Sequence, residues 1–257
     1  MTRKSGRHKL KIKSTLILAV ALSVLSVGLA AQSAPTVYPI LIVTRVVVKA
    51  ERVAEYLEIE KQYSAIYKKG GAPWRRVFRS RTGRANEFMI TLPISKYAQL
   101  DGDSYFVKGA SEGDRLRLST RRNQVIESAT TTYEELVPGA AISTAGTPKN
   151  LMIVARLQVA PAKVDEFIEF AKAEVLPVMT KAGVAIWTLR RTYYGGSRST
   201  FVTRRTADTF AELDSSIVTK ALGEEGAKKY TAKLTSLISN AIYDIYIYQP
   251  DLSYNPQ

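Results

Sequence analysis

The chain repeats itself at a period of about 112 residues, and that constrains its fold more than any other feature of the sequence. Leu41-Ile-Val-Thr-Arg45, running on to Tyr56, aligns with Met152-Ile-Val-Ala-Arg156, running on to Phe167, at an offset of 111. Phe88 then aligns with Phe201, Tyr97-Ala-Gln-Leu-Asp101 with Phe210-Ala-Glu-Leu-Asp214 and Gly113 with Gly226, at 113. Ile126 pairs with Ile238 and Pro138 with Pro250, at 112. Order and spacing persist through the whole stretch, which is the mark of an internal duplication.

Each copy reads as the same series of elements. Residues 39–48 and 151–159 are β-branched and apolar, as strands are. A helix follows: Val164, Phe167, Ile168, Ala171, Val175, Val178 and Met179 share one helical face in the second copy, and Val53, Tyr56, Leu57, Ser64 and Tyr67 do so less cleanly in the first. Pro177 is expected to kink the second of these helices near its end. Strand pairs are predicted at 74–81 with 86–92 and at 186–194 with 200–205, then a short helix, a longer one near 112–128 and 224–240, and closing strands at 130–136 and 242–248. The order β-α-β-β-α-β is the ferredoxin-like split unit. Its helices cover one face of the sheet, so two copies can bury their open faces against each other. The expected fold class is therefore α+β, with two tandem ferredoxin-like repeats at 38–137 and 151–250 closing an intrachain pseudo-dimeric barrel. Pro138 to Asn150, rich in Pro, Gly and Thr, is expected to be a linker over 138–150.

Ahead of the repeats, Met1 to Lys13 holds six Lys or Arg and no acid, and Leu16 to Ala31 is almost wholly apolar, ending in small residues. This is the pattern of a secretory signal peptide, with cleavage expected after Ala30. The competing reading is a retained N-terminal anchor, but the apolar run is short for a spanning helix, which needs about 20 residues, so cleavage is expected, with no membrane attachment after it. An exported, periplasmic or extracellular protein follows from this expectation. Without the leader, 31 basic and 23 acidic residues leave a net charge of +8. Outside the cytoplasm that charge suits small anions or anionic surfaces, and nucleic acid is not an expected partner. His8, the sole histidine, lies in the leader, and the chain has no cysteine. The remaining chain thus lacks the side chains for N- or S-ligated zinc, blue copper, iron–sulfur clusters, His-ligated haem, and Ser-His-Asp or Cys-His catalysis. No metal and no cofactor is expected.

Two segments, Ala155-Arg-Leu-Gln-Val-Ala-Pro-Ala-Lys-Val-Asp-Glu-Phe167 and Glu174-Val-Leu-Pro-Val-Met-Thr-Lys-Ala-Gly183, resemble the first strand, Pro-containing turn and Gly-terminated first helix of the dimeric α+β barrel superfamily. That superfamily includes the antibiotic-biosynthesis-monooxygenase-type and NIPSNAP-type domains. The first copy carries Lys49-Ala-Glu in place of the Pro turn. The resemblance covers nearly all of residues 39–250 and implies the fold. Its members include cofactor-free oxygenases, His-ligated haem enzymes and proteins with no known reaction, and the missing histidine speaks against the haem branch.

The site residues expected from the sequence are arginines and aromatics on strands. Arg45 shares a face with Leu41, Val43 and Val47, and Arg156 shares the matching face with Met152, Val154 and Gln158. A charge on an apolar face needs a partner, either an internal acid or an anionic ligand. Trp74, Arg76 and Phe78 alternate onto one face. Trp187, Leu189, Arg191 and Tyr193 are read as the corresponding face, and guanidiniums beside rings suit a planar acid. The expected function is binding of a small anionic or aromatic molecule in the barrel. The alternatives are a cofactor-independent, monooxygenase-like enzyme and a protein-interaction module. The chain is expected to be a monomer or a homodimer of pseudo-dimers.

Overall fold

The architecture is a closed barrel of eight antiparallel strands, seen in a computed structural model that describes residues 37–102, 104–143 and 149–255. The expected leader, residues 1–30, lies outside the described residues. The first repeat runs β1 (Ile40–Val48), α1 (Val53–Lys69), β2 (Arg76–Ser80), β3 (Glu87–Ile94), α2 (Tyr105–Gly109), α3 (Glu112–Val125) and β4 (Ile126–Ser143). The second runs β5 (Leu151–Val159), α4 (Val164–Phe170), α5 (Leu176–Lys181), β6 (Ile186–Tyr194), β7 (Thr200–Ala207), α6 (Ile217–Leu237) and β8 (Ile238–Tyr248). Around the barrel the order is β1-β3-β2-β8-β5-β7-β6-β4. Each repeat thus contributes the ferredoxin-like order 4-1-3-2, and the joints are β2 with β8 and β4 with β6. This is the α+β pseudo-dimeric barrel expected from the repeat.

Strand alternation sorts the side chains into three cores. Leu41, Val43, Phe78, Met89, Met152, Val154, Val202 and Tyr246 point into the barrel. The opposite faces meet the helices: Val46, Val48, Val77 and Phe88 pack on Tyr56, Ile59 and Leu118 in the first repeat. Leu157, Val159, Leu189 and Phe201 pack on Phe167, Phe170 and Val178 in the second. Ser111 and Ser216 start α3 and α6 by accepting the amides of Asp114 and Thr219, each at 3.2 Å.

Two departures from the expected elements have local causes. Proline cannot donate the helical hydrogen bond one turn back, and its ring crowds that carbonyl. Ahead of Pro177 the chain forms a π turn, Ala171–Val175, between α4 and α5. A π turn adds one residue to a helix. It therefore accounts for the change of repeat offset from 111 at Tyr56/Phe167 to 112 at Gly71/Gly183, glycines with φ of +81° and +73° that end both helices. The segment 138–150 is not a free linker throughout. Strand β4 continues to Ser143, and Ala141, Ile142 and Ser143 pair with Thr188, Trp187 and Ile186. Pro138-Gly139 is absorbed as an irregularity in the ladder, with Gly139 at φ +74°.

Candidate functional site

A cavity of ligand size lies outside the barrel, between the first repeat's sheet and its helices. It has a volume of about 450 Å³. Ile42, Thr44, Ile90, Leu92, Thr131 and Tyr133 form its sheet wall. The helical side brings Tyr63 and Tyr67 from α1, Tyr105 and Phe106 from α2, and Arg122 from α3. Helices α1 and α2 approach so closely that a Cβ on Gly70 would lie 1.8 Å from the Tyr105 carbonyl oxygen, which fixes the aromatic wall in place. Phe106 stacks on Tyr63 and Tyr67 at centroid distances of 5.3 and 5.8 Å.

Beneath the rings is a buried charge cluster. Glu60 of α1 is fully buried, and Arg75, just before β2, is 4% exposed. The two form an ion pair, and Arg122 Nε lies 3.5 Å from the other Glu60 oxygen. Arg75 also donates to Ser64 Oγ at 2.8 Å and lies under the rings of Tyr63 and Tyr67, at 5.8 and 5.5 Å. Burial opposes the charge on Arg122, but Glu60 with Tyr56 and Tyr63 more than offsets this and raises its pKa. Burial pushes Tyr67 up, so its phenol stays protonated at neutral pH. Two guanidiniums against one carboxylate leave this cavity floor with one excess positive charge.

The second repeat shows that the fold does not require this cluster. At the aligned positions Glu60, Tyr63, Tyr67, Arg75 and Arg122 become Ala171, Val175, Met179, Trp187 and Leu234. All five line a matching but smaller cavity of about 230 Å³, with Phe167, Leu189 and Tyr230, and with Arg205 and Tyr243 at its edge. Burying an ion pair brings little or no net stability compared with apolar residues of similar volume. The sister repeat takes the apolar solution, so the charged cluster is kept for something besides packing.

The strand residues singled out from sequence fall in three places. Arg45 and Arg156 do point into the barrel. Arg156 pairs with Asp244 at 2.6 Å. The position equivalent to Asp244 in the first repeat is Thr132, so Arg45 has no matching acid. Its Nε and Nη2 are buried with no hydrogen-bond partner among the described residues. Burial lowers the Arg45 pKa, Glu134 partly restores it, and Arg156 and Arg204 depress it further. Trp74 and Arg76 line a separate interior cavity of about 120 Å³ where β1 and β5 begin, with Arg76 over the Trp74 ring at 4.3 Å. Trp187, Arg191 and Tyr193 are not on the corresponding face. Phe78 pairs with Met89 and Arg190 with Val202, so Arg76 corresponds to Thr188 and Trp74 to Ile186. Aligning Trp74 with Trp187 slips the register by one residue, and such a slip reverses every side chain. Trp187 packs under the second repeat's helices, and Arg191 bonds the Arg198 carbonyl at 2.6 Å outside the barrel.

No family model matches the chain, and no curated protein matches its sequence. Solved structures do match in shape. A candidate monooxygenase from Lactobacillus acidophilus NCFM superposes with a TM-score of 0.60 at 11% identity, over 85% of this chain and 97% of that one. One from Fusobacterium nucleatum gives 0.59 at 11%, over 85% and 94%. An anthrone oxidase-like protein gives 0.61 at 10%, over 84% and 93%. The chain has the dimeric α+β barrel fold. Here two repeats of one chain supply both halves of the barrel, and among the described residues the first half alone carries the Glu60–Arg75–Arg122 cluster.

Glu60, Tyr63, Arg75 and Arg122 were not apparent as site residues from sequence alone. A signal was present: Glu60 and Ser64 follow Tyr56 by four and eight residues, which places a carboxylate on the buried stripe of α1. Among the described residues no group of three or more His, Cys, Asp or Glu side chains is disposed to hold a metal ion.

Proposed function

We propose that the first repeat binds a planar aromatic molecule with one negative charge, a phenolate or an aromatic carboxylate, in the cavity between its sheet and its helices. The observation that carries this is the replacement of an apolar cluster in the second repeat by Glu60, Tyr63, Tyr67, Arg75 and Arg122 in the first. Rings on the helical wall offer stacking surfaces, and the excess guanidinium charge offers a counter-ion. A cavity of this size is on the usual small-ligand scale. With the leader read at residues 1–30, binding would take place outside the cytoplasm.

Calorimetry with 1-naphthoate, 4-hydroxybenzoate and the neutral 1-naphthamide tests the proposal. The two acids should bind one per chain, and the amide at least about tenfold more weakly, the equivalent of one charged hydrogen bond. Arg122→Leu should abolish the preference for acids, and Leu234→Met in the second repeat should leave it intact. Absence of binding, or equal binding by Arg122→Leu, would refute the proposal.

A second reading is favoured by the same cavity together with the shape match to candidate monooxygenases and an anthrone oxidase-like protein. A bound phenolate with an activated methylene can react with dioxygen. The methylene becomes a carbonyl, one oxygen atom enters the product, and the other leaves as water with the two methylene hydrogens. Oxygen uptake above the blank with hydroxyaromatics of this type would establish it, and uptake equal to the blank would leave binding alone.

A further inference from the structure

The 120 Å³ cavity inside the barrel has a charge imbalance that the aromatic site does not use. Arg76, Arg190 and Arg204 line it, with Thr91, Thr188 and Ser143. Arg190 and Arg204 are 2% and 4% exposed. Among the described residues the one buried carboxylate beside them is Glu134, 2.6 Å from Arg204 Nη1. Arg190 spends its terminal nitrogens on the carbonyls of Tyr38, Pro39 and Glu134, at 2.8, 3.3 and 3.3 Å. Its Nε, and Nε and Nη2 of Arg204, are buried without a hydrogen-bond partner among the described residues. Burial, and then Arg204, push the Arg190 pKa down to about 9, while burial pushes Arg76 down to about 10.

The duplication does not impose this cluster. The pseudo-symmetric positions of Arg76, Arg190 and Arg204 are Thr188, Phe78 and Thr91. Three guanidiniums converge where the repeat by itself would put a threonine, a phenylalanine and a threonine.

We propose that this interior cavity binds a small tetrahedral oxyanion of the phosphate or sulfate class, held by Arg190 and Arg204 and closed at its mouth by Arg76. Three guanidiniums line the cavity, and Glu134, the nearby carboxylate, is shared between Arg204 and Arg45, so at least two positive charges are left over, which a dianion balances better than chloride. The space, about 120 Å³, admits a five-atom oxyanion. Buried guanidinium charge is costly without a counter-ion, and an oxyanion in the cavity supplies one beside Arg190 and Arg204 while its oxygens accept from the hydroxyls of Thr91 and Thr188.

The test is titration of the intact chain with phosphate, sulfate, acetate and chloride at constant ionic strength, followed by calorimetry and thermal unfolding. One dianion per chain should bind, with a saturable rise in Tm. Response to phosphate alone identifies phosphate, and response to both dianions identifies the tetrahedral class; either supports the site. Arg76→Gln, at the half-exposed mouth, should weaken binding by about tenfold or more. The paired change Arg204→Gln with Glu134→Gln, which removes both partners together, should abolish it. Arg122→Leu, in the aromatic cavity, should leave it unchanged, so this site and the aromatic one can fail separately. No saturable effect, an equal response to chloride, or undiminished affinity in Arg76→Gln would overturn the proposal.

Discussion

Glu60→Ala should destabilise the chain far more than removing one surface ion pair, and the repeat supplies the control. In the intact molecule Glu60 is fully buried against Arg75 and Arg122. Its loss leaves two largely buried guanidiniums without their shared carboxylate, which costs roughly 3–5 kcal/mol. For a domain of this size each kcal/mol moves Tm by about 2–4 °C, so a fall of about 6–20 °C is expected. The control transplants the second repeat's solution: Glu60→Ala, Tyr63→Val, Arg75→Trp and Arg122→Leu in one chain. Removing all the charges together should recover most of the loss. Stability should return to within about 2 kcal/mol of the starting protein, the residue reflecting imperfect packing of the new tryptophan. Aromatic-acid binding should vanish. Urea unfolding followed by far-ultraviolet circular dichroism measures all three proteins. A fourfold variant as unstable as Glu60→Ala would show that the cluster is structural and refute its reservation for a ligand. A Glu60→Ala cost under about 1 kcal/mol would show that no uncompensated charge is left behind.

Two further outcomes follow from the geometry. Burial would raise the Glu134 pKa, but Arg204, with Arg45 and Arg190, holds it below its ordinary 4.5. A depressed folded pKa means that Glu134 stabilises the fold fully above the unfolded value and loses that contribution as pH falls through the folded one. Calorimetric Tm of Glu134→Gln should therefore be lower at neutral pH and fall less steeply from about pH 5 to about pH 3; parallel curves would refute the assignment. Gly70→Ala forces a Cβ to within 1.8 Å of the Tyr105 carbonyl oxygen and should cost about 1–3 kcal/mol while weakening aromatic binding, because α2 carries Tyr105 and Phe106. Gly71→Ala meets nothing within 4 Å but sits at φ +81°, so it should cost only about 1–2 kcal/mol and spare binding. Equal effects of the two on affinity would show that α2 does not position the cavity wall.

The fold was legible in the sequence because the duplication fixes element order and alternation fixes faces. Arg45 and Arg156 could be assigned to one apolar strand face from spacing alone, and they do enter the barrel. The face of β6 was not legible, because two offsets, 112 and 113, meet at the hairpin between β6 and β7. Only the ladder pairs Phe78–Met89 and Arg190–Val202 show which side of the turn holds the extra residue. The Glu60 cluster was hidden for a different reason. Its members come from α1, the approach to β2, and α3, so no single periodicity contains them. Sequence considerations had joined an anionic and an aromatic ligand in one barrel. The structure separates room for rings, outside the barrel, from buried unpaired guanidiniums, inside it.

The difference between the halves is what a single-chain barrel permits and a symmetric dimer does not. In a dimer of identical chains, a substitution that places a charge in one cavity places it in the other as well, and every interior arginine appears twice. Here Asp244 answers Arg156 while Thr132 leaves Arg45 unanswered, and Trp187 fills the place that Arg75 holds in the first repeat. Buried charge costs stability unless it is balanced. Keeping Ala171, Val175 and Trp187 apolar spares the second repeat's helical layer that cost, while its buried charges, Arg190, Arg204 and Asp244, sit on the barrel strands. Core-truncating substitutions at Phe167 or Leu189 should therefore act mainly on stability, whereas substitutions at Arg122 or Tyr67 should act mainly on binding.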